Sequence, residues 1–267
     1  MSTGNLRRLQ TLRQRMESTF PLRDLPIHLP GDQTFQIAMP ANGDDPLDRF
    51  GAALSASDST RQDTENNSSA ARDAQGAVAA GIHMPYWGLL WPSGQALAAS
   101  ILSQPERFRG LRALELGAGL GLTSAAAARA GADIIAADCF TESLLFTRYN
   151  VLRNAGSEPG TLLLDWRSVA GRTACRDAGP FDVLLAADVL YEQENLTPLL
   201  DLVPQVLVPN GDFWLAEPGR KVSVAFVAAA SARGWRDSVT YDERRWPADG
   251  DTVRVAIHHF KLPEVAC

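Results

Sequence analysis

Cysteine, lysine and long apolar runs are what this chain has least of. Its three cysteines, Cys139, Cys175 and Cys267, are scattered, odd in number and form no CxxC pair. That excludes a disulfide framework and a zinc ribbon. Only Lys221 and Lys261 are lysines among 25 basic residues, and 31 acidic residues leave a formal charge of −6. Such a balance argues against a dedicated nucleic-acid binder, whose affinity would rest on neutralising phosphates. No apolar stretch approaches the ~18 residues of a membrane helix, so no membrane partner is expected. At 45% hydrophobic residues the chain is too apolar for whole-chain disorder or a collagen-like repeat. Its 267 residues can bury a core without covalent staples.

Residues 1–51 read as an N-terminal arm. Leu6, Leu9, Leu12 and Met16 recur at helical spacing, with Arg7, Arg8, Arg13 and Arg15 between them. This is either an amphipathic helix docked on the domain or, being Arg-rich and poor in acids, a transit peptide over residues 1–23. No apolar h-region follows the charges, so a secretory leader is not expected. The expected compartment is the cytoplasm, or the mitochondrial matrix if the source is eukaryotic. A short strand is expected over 34–39. Residues 52–80 have no aromatic and few large aliphatics. Such a segment cannot bury enough apolar area to offset its ordering entropy, so it reads as a polar insert or linker.

Residues 81–267 alternate in pattern. Helices are expected over 94–108, 121–130, 141–154, from 197 onward, and over 222–233. Strands are expected over 111–116, 133–137, 161–164, 181–187, 212–216, 239–241 and 253–260. Thr141 is the expected N-cap and Gly156 the expected stop of the 141–154 helix. Pro204 predicts a kink or early end. The continuous apolar strands suit parallel pairing with both faces covered. Strands alternating with helices imply a doubly wound α/β sheet. Its ligands should lie beyond the carboxyl ends of the strands, just after Leu116, Ala137, Leu164 and Ala187.

The first of these strands runs into Glu115-Leu116-Gly117-Ala118-Gly119-Leu120-Gly121. Tight turns that approach a ligand closely leave no room for a Cβ. A dinucleotide fingerprint needs Gly or Ala at its sixth position, where Leu122 stands, which disfavours an NAD(P) oxidoreductase. The acid before the first glycine and the GxGxG spacing instead resemble class I methyltransferases that bind S-adenosylmethionine. On that reading Glu115, Gly117, Ala118, Gly119 and Gly121 form the cofactor loop. Asp138, at the end of the second strand, would accept both ribose hydroxyls. Asp165 suits the adenine amino group. Trp166 offers a stacking face, unless it is an ordinary core aromatic.

Two further segments narrow the resemblance. They are Pro85-Tyr86-Trp87-Gly88-Leu89-Leu90-Trp91-Pro92-Ser93-Gly94-Gln95-Ala96-Leu97 and Phe181-Asp182-Val183-Leu184-Leu185-Ala186-Ala187-Asp188-Val189-Leu190-Tyr191-Glu192. With the glycine loop they resemble the seven-β-strand protein-lysine methyltransferases. The nearest branch is the electron-transfer-flavoprotein β-subunit lysine methyltransferases and their bacterial relatives. Glu217-Pro218-Gly219-Arg220 fits that branch, which often has Asp at its first position. The resemblance covers roughly residues 81–262. It implies a Rossmann-like sheet of seven strands, mostly parallel with an antiparallel last strand and helices on both faces. It also implies S-adenosylmethionine as cofactor and a protein presenting a lysine as partner. Cofactor contacts are implied at Trp91, Gly117, Ala118, Gly119, Asp138, Trp166 and the backbone of Ala187. The family's Asp-x-x-Tyr motif falls on Asp188 and Tyr191.

A lysine has a reference pKa near 10.4, so holding it neutral at pH 7 costs about 4.6 kcal/mol. Asp188 is expected to accept a hydrogen bond from the amine and aim its lone pair. Its charge favours the ammonium, so orientation rather than strong basicity is its role. Most of the acceleration would come from positioning two reactants as one complex. Tyr191 would shape the lysine channel or hydrogen-bond the substrate. Tyr86 and Trp87 would wall the approach, since aromatic faces attract a cation. The protein is expected to be a monomer. The alternative is a small-molecule N-methyltransferase of the nicotinamide-methyltransferase type, acting on a small amine. A non-catalytic binding protein on the same fold is a further reading. No metal site is expected: His28 and His83 are isolated, and His258 and His259 point to opposite faces of a strand.

Overall fold

The computed structural model describes residues 2–42, 44, 46–49, 84–245 and 250–263. The expected insert at 52–80, His83 and Cys267 lie outside the described residues. In chain order the elements are α1 (Thr3–Glu17), β1 (Leu22–Leu29), β2 (Gln33–Pro40), α2 (Pro92–Ser103), β3 (Arg112–Leu116), α3 (Leu122–Arg129), β4 (Asp133–Asp138), α4 (Thr141–Ala155) and β5 (Gly160–Leu163). They continue with α5 (Val169–Ala178), β6 (Phe181–Ala187), α6 (Leu196–Val206), β7 (Leu207–Glu217), α7 (Lys221–Ala232), β8 (Arg236–Arg245) and β9 (Thr252–Lys261).

Successive side chains of a strand face opposite ways, and here both faces are buried. On β6, Val183 and Leu185 join one hydrophobic cluster while Leu184 and Ala186 join the other. The seven-stranded sheet has the order β5-β4-β3-β6-β7-β9-β8. Strands β3 to β7 pair in parallel. The last strand in sequence, β9, is antiparallel to both β7 and β8. This is the expected mostly parallel sheet with an antiparallel last strand. The chain leaves β3 toward β4 and β5, then returns to β6 on the other side of β3. The strand order reverses there, so a crevice opens beyond the carboxyl ends of β3, β4 and β6.

Several boundaries differ from the sequence reading. Helix α2 begins at Pro92, whose fixed φ suits a first helical turn, and ends at Ser103. Thr141 is the first helical residue of α4 rather than its cap; the cap is Phe140. Phe140 N–H donates to Asp138 Oδ1 at 3.0 Å, so Asp138 satisfies the helix start. Gly156 closes α4 in the left-handed region, as expected. Helix α6 carries Pro204 and ends at Val206. Strand β1 and helix α5 were not anticipated. Pro26 sits within β1, in a two-stranded hairpin with β2. Two-stranded ribbons leave each strand an edge where a proline is tolerated.

Helix α1 buries Leu12 and Met16 completely, while Leu6 stays exposed. Arg8 pairs with Glu158, and Arg13 with Asp24 at 3.1 Å. The hairpin docks on α4 through Asn150. Its Oδ1 accepts from Ala38 N–H at 2.8 Å, and its Nδ2 donates to the Ala38 and Leu120 carbonyls at 2.9 and 2.8 Å. One buried amide thus ties the hairpin to the glycine loop.

The loop's last glycine is the tightest. Gly121 has φ +78°, and a Cβ there would lie 2.8 Å from the Cα of Thr147 on α4. Gly121→Ala combines backbone strain with a clash against a helix that cannot easily yield. We expect a loss of about 2–4 kcal/mol in urea unfolding. Gly156→Ala has a similar φ of +84° and nothing within 4 Å. It isolates the conformational part and should lose only about 1 kcal/mol.

Candidate active site

The glycine loop folds because backbone and α4 hold it from two sides. Gly117 and Ala118 N–H both donate to the Ala137 carbonyl, at 2.9 and 3.0 Å. The Gly119 carbonyl accepts from Ser143 Oγ at 2.8 Å and Thr147 Oγ1 at 3.1 Å. Ser143, Thr147 and Asn150 share one face of α4, four and then three residues apart. Gly117 has φ +72°, and a Cβ on it would lie 2.8 Å from Val189 Cγ1 and 3.6 Å from the Trp166 ring.

Asp138 closes the loop. Its Oδ2 accepts from Gly119 N–H at 3.0 Å, opposite the Oδ1 bond from Phe140. Burial pushes its pKa up, opposed first by the Gly119 N–H. The Ser143 hydroxyl and the Cys139 N–H add to the donors around this carboxylate. Trp166 is buried, and its indole Nε1 has no hydrogen-bond partner among the described residues. An orphaned buried donor is costly unless a ligand completes it.

These groups line one cleft. Gly117, Gly119, Asp138, Trp166 and Ala187 line it together with Trp87, Tyr86 and Trp91. A second cavity of about 410 Å³ is lined by Tyr86, Trp91, Asp188, Tyr191, Glu192 and Arg220. Tyr86, Trp91, Asp188 and Tyr191 belong to both. The cleft therefore opens into the cavity, and Asp188 stands at the junction.

Asp188 follows directly on β6 and has φ +58°, unusual for a side-chain-bearing residue. Its N–H donates to the Ala216 carbonyl at 2.9 Å, which fixes the turn. Its Oδ1 accepts from Arg220 Nε at 2.9 Å and its Oδ2 from Ser93 Oγ at 3.4 Å. Around it the aromatic rings meet edge to face: Tyr86 with Tyr191 at 5.6 Å and Tyr86 with Trp91 at 6.3 Å between centroids. Trp91 Nε1 donates to the Tyr86 carbonyl at 3.1 Å. Burial pushes the Tyr191 phenol well above its ordinary value, so it stays a neutral hydroxyl.

Five expected site residues sit differently. Glu115 is buried on the face of Ala113, under α3, and accepts from Ser124 Oγ. Burial pushes its pKa up to about 8 despite that bond, and it anchors α3 rather than lining the cleft. Ala118 and Gly121 shape the loop without lining the cleft. Asp165 accepts from Arg167 N–H at 2.8 Å, pairs with the Arg167 side chain at 3.4 Å, and lies outside the cleft lining. Trp87 packs on Phe20 and Phe146 in the core. It walls the cleft but not the outer cavity, which Tyr86 walls without it.

Ser93, Glu192 and Arg220 escaped the sequence reading as site residues. Arg220 had one signal, the Glu-Pro-Gly-Arg run. Its glutamate holds the loop: Glu217 Oε2 accepts from Gly219 N–H at 2.6 Å and from Ser223 Oγ. His258 lies behind it, with Nδ1 2.7 Å from Asp237 and Nε2 3.4 Å from Glu217. Burial alone would lower the His258 pKa, but these two acids outweigh it and push it up to about 9. The same contacts outweigh burial at Glu217 and hold its carboxyl low.

A model of the lysine methyltransferase family matches residues 85–228. The electron transfer flavoprotein β subunit lysine methyltransferase of Xenopus laevis is 32% identical over 138 residues, 51% of this chain and 53% of that protein. The protein-lysine methyltransferase METTL21E of Mus musculus is 33% identical over 121 residues, 43% of this chain and 49% of that protein. The chain thus spans about half the length of the curated relatives it matches. In fold, it superposes on magnesium protoporphyrin IX methyltransferase from Synechocystis with a TM-score of 0.51 at 15% identity, covering 81% of this chain and 95% of that one. The family match runs from the aromatic segment before α2 into α7 and takes in the glycine loop, Asp138 and Asp188, so the chain belongs to the lysine methyltransferase family.

Proposed function

We propose that this protein transfers a methyl group from S-adenosylmethionine to the side-chain amine of a lysine in another protein. One observation carries the reading: Asp188 stands where the cleft meets the aromatic cavity. The cleft fits the cofactor by its own chemistry. Gly117 and Gly119 bring bare backbone to the cleft, Trp166 holds an indole N–H with no partner among the described residues, and Asp138 sets a carboxylate in the lining at the end of β4. When bound there, S-adenosylmethionine supplies an electrophilic methyl group on a sulfonium.

The residues of the chain do the rest. Asp138 receives the ribose hydroxyls, and Trp166 takes the adenine. Asp188 accepts a hydrogen bond from the acceptor amine and aims its lone pair. Tyr86, Trp91 and Tyr191 wall the amine's stem and attract its cationic form. The open cavity lets the amine lose its proton to water before transfer. Tyr191, a neutral phenol, borders both spaces and orients the amine. A cytoplasmic monomer acting on a protein fits the acidic balance and the free thiols of Cys139 and Cys175 among the described residues.

The test uses radiolabelled S-adenosylmethionine with lysate of the source organism and, in parallel, purified electron transfer flavoprotein β subunit. We expect label in a discrete protein band. Label confined to an extractable small molecule would overturn the protein-lysine reading in favour of a small-amine acceptor.

A further inference from the structure

We infer that Arg220 is a built-in occupant of the acceptor cavity, which an incoming lysine must displace, and that it thereby selects protein-borne over free amines. The inference rests on the lysine reading above. Arg220 Nε lies 2.9 Å from Asp188 Oδ1, and its guanidinium carbon lies 5.9 Å from the centroid of the Trp91 ring. A carboxylate and an aromatic face are the two features a lysine ammonium would seek in this cavity. One cation of the chain already engages both.

The arrangement has a reason and a means of release. The Asp188 side chain is only 5% exposed. A carboxylate so buried is costly without a charged partner, and Ser93 Oγ at 3.4 Å is a weak one. Arg220 supplies the missing charge while no substrate is bound. Its backbone is fixed, since its carbonyl accepts from Val224 N–H at 3.0 Å in the first turn of α7. Its side chain is 39% exposed and extends from a loop, so it can swing to solvent on its flexible stem. Asp24, a third exposed, holds both Arg13 and Arg153, but at a carboxylate buried as deeply as Asp188 two cations repel each other with little screening. A free amine has only its ammonium and stem to offset the displacement. A folded protein adds contacts outside the cavity, so the requirement falls hardest on small amines.

The test needs no methyl transfer, so its failure is separable from failure of the lysine reading. n-Butylammonium chloride, a lysine side chain without its backbone, is titrated calorimetrically into the full-length protein at pH 7. Arg220→Gln and Arg220→Met should each bind it about tenfold more tightly than wild type, because the competent state no longer competes with a self-ligand. Arg220→Lys, which keeps the cation, should bind like wild type. Adding Asp188→Asn to Arg220→Gln should erase the gain. Circular dichroism melts verify that each variant is folded. Equal or weaker binding by both neutral variants would overturn the inference, as would a gain that survives Asp188→Asn.

Discussion

Asp188→Ala should lower single-turnover methyl transfer by at least about 10³-fold while leaving S-adenosylhomocysteine affinity within a few-fold of wild type. The size of the effect follows from position. The amine must meet the methyl group in line, and of the four residues that border both cleft and cavity Asp188 is the carboxylate able to accept from it and aim it. Alanine removes the acceptor and leaves Arg220 and Ser93 without their shared partner. It also strains the turn, since φ +58° suits alanine poorly. Asp188→Asn separates the two causes, because asparagine tolerates the left-handed region. It keeps the turn and one carbonyl acceptor but loses the charge that holds Arg220. It should still lose about 10²-fold, within the range of a misplaced positioning group. Rapid-quench transfer rates and calorimetric dissociation constants check both. Unchanged turnover in the alanine variant would remove Asp188 from the chemistry.

Asp138→Ala should do the reverse. We expect S-adenosylhomocysteine affinity to fall by about 10²-fold, corresponding to two charge-assisted hydrogen bonds to the ribose less what water restores. Turnover at saturating cofactor should stay within a few-fold, because Asp138 does not reach the acceptor cavity. The substitution also orphans the N–H groups of Gly119 and Phe140, which loosens the loop and the start of α4. Asp138→Asn keeps an acceptor for one of them and should lose less. Calorimetry of the two variants beside wild type decides the matter. An Asp138→Ala protein that is folded and binds with wild-type affinity would refute the ribose role. Together the two aspartates should dissociate binding from transfer.

The parts of this site legible in the sequence are those whose causes are local. Gly117 and Gly121 need positive φ and lack room for a Cβ, and a glycine run after an apolar strand announces that directly. Asp138 and Asp188 each sit at a strand end, where the doubly wound sheet delivers its ligands. Glu115 lies away from the cleft lining because sequence proximity to the loop says nothing about which face its side chain takes. Strand alternation puts it under α3 with Ser124. Arg220 was hidden by distance: its partner is 32 residues away, and only the packing of β7 beside β6 brings them together. Helix α5 offers no large aliphatic side chain on its buried face, which holds Gly171 and Cys175, so no apolar stripe marks it as a core helix. Strand β1 was obscured by Pro26, which is harmless in a two-stranded ribbon.

The central claim is that one side of Asp188 holds a methyl donor and the other a protein lysine. The most direct measurement is the identity of the methylated atom. Protein labelled by the wild-type enzyme from S-adenosylmethionine with an isotopically marked methyl group is hydrolysed to amino acids and resolved by mass spectrometry. The account predicts the mark on the side-chain nitrogen of lysine, and its loss when Asp188→Ala replaces the wild type. A mark on any other residue, or one that persists undiminished in the Asp188→Ala reaction, would contradict it.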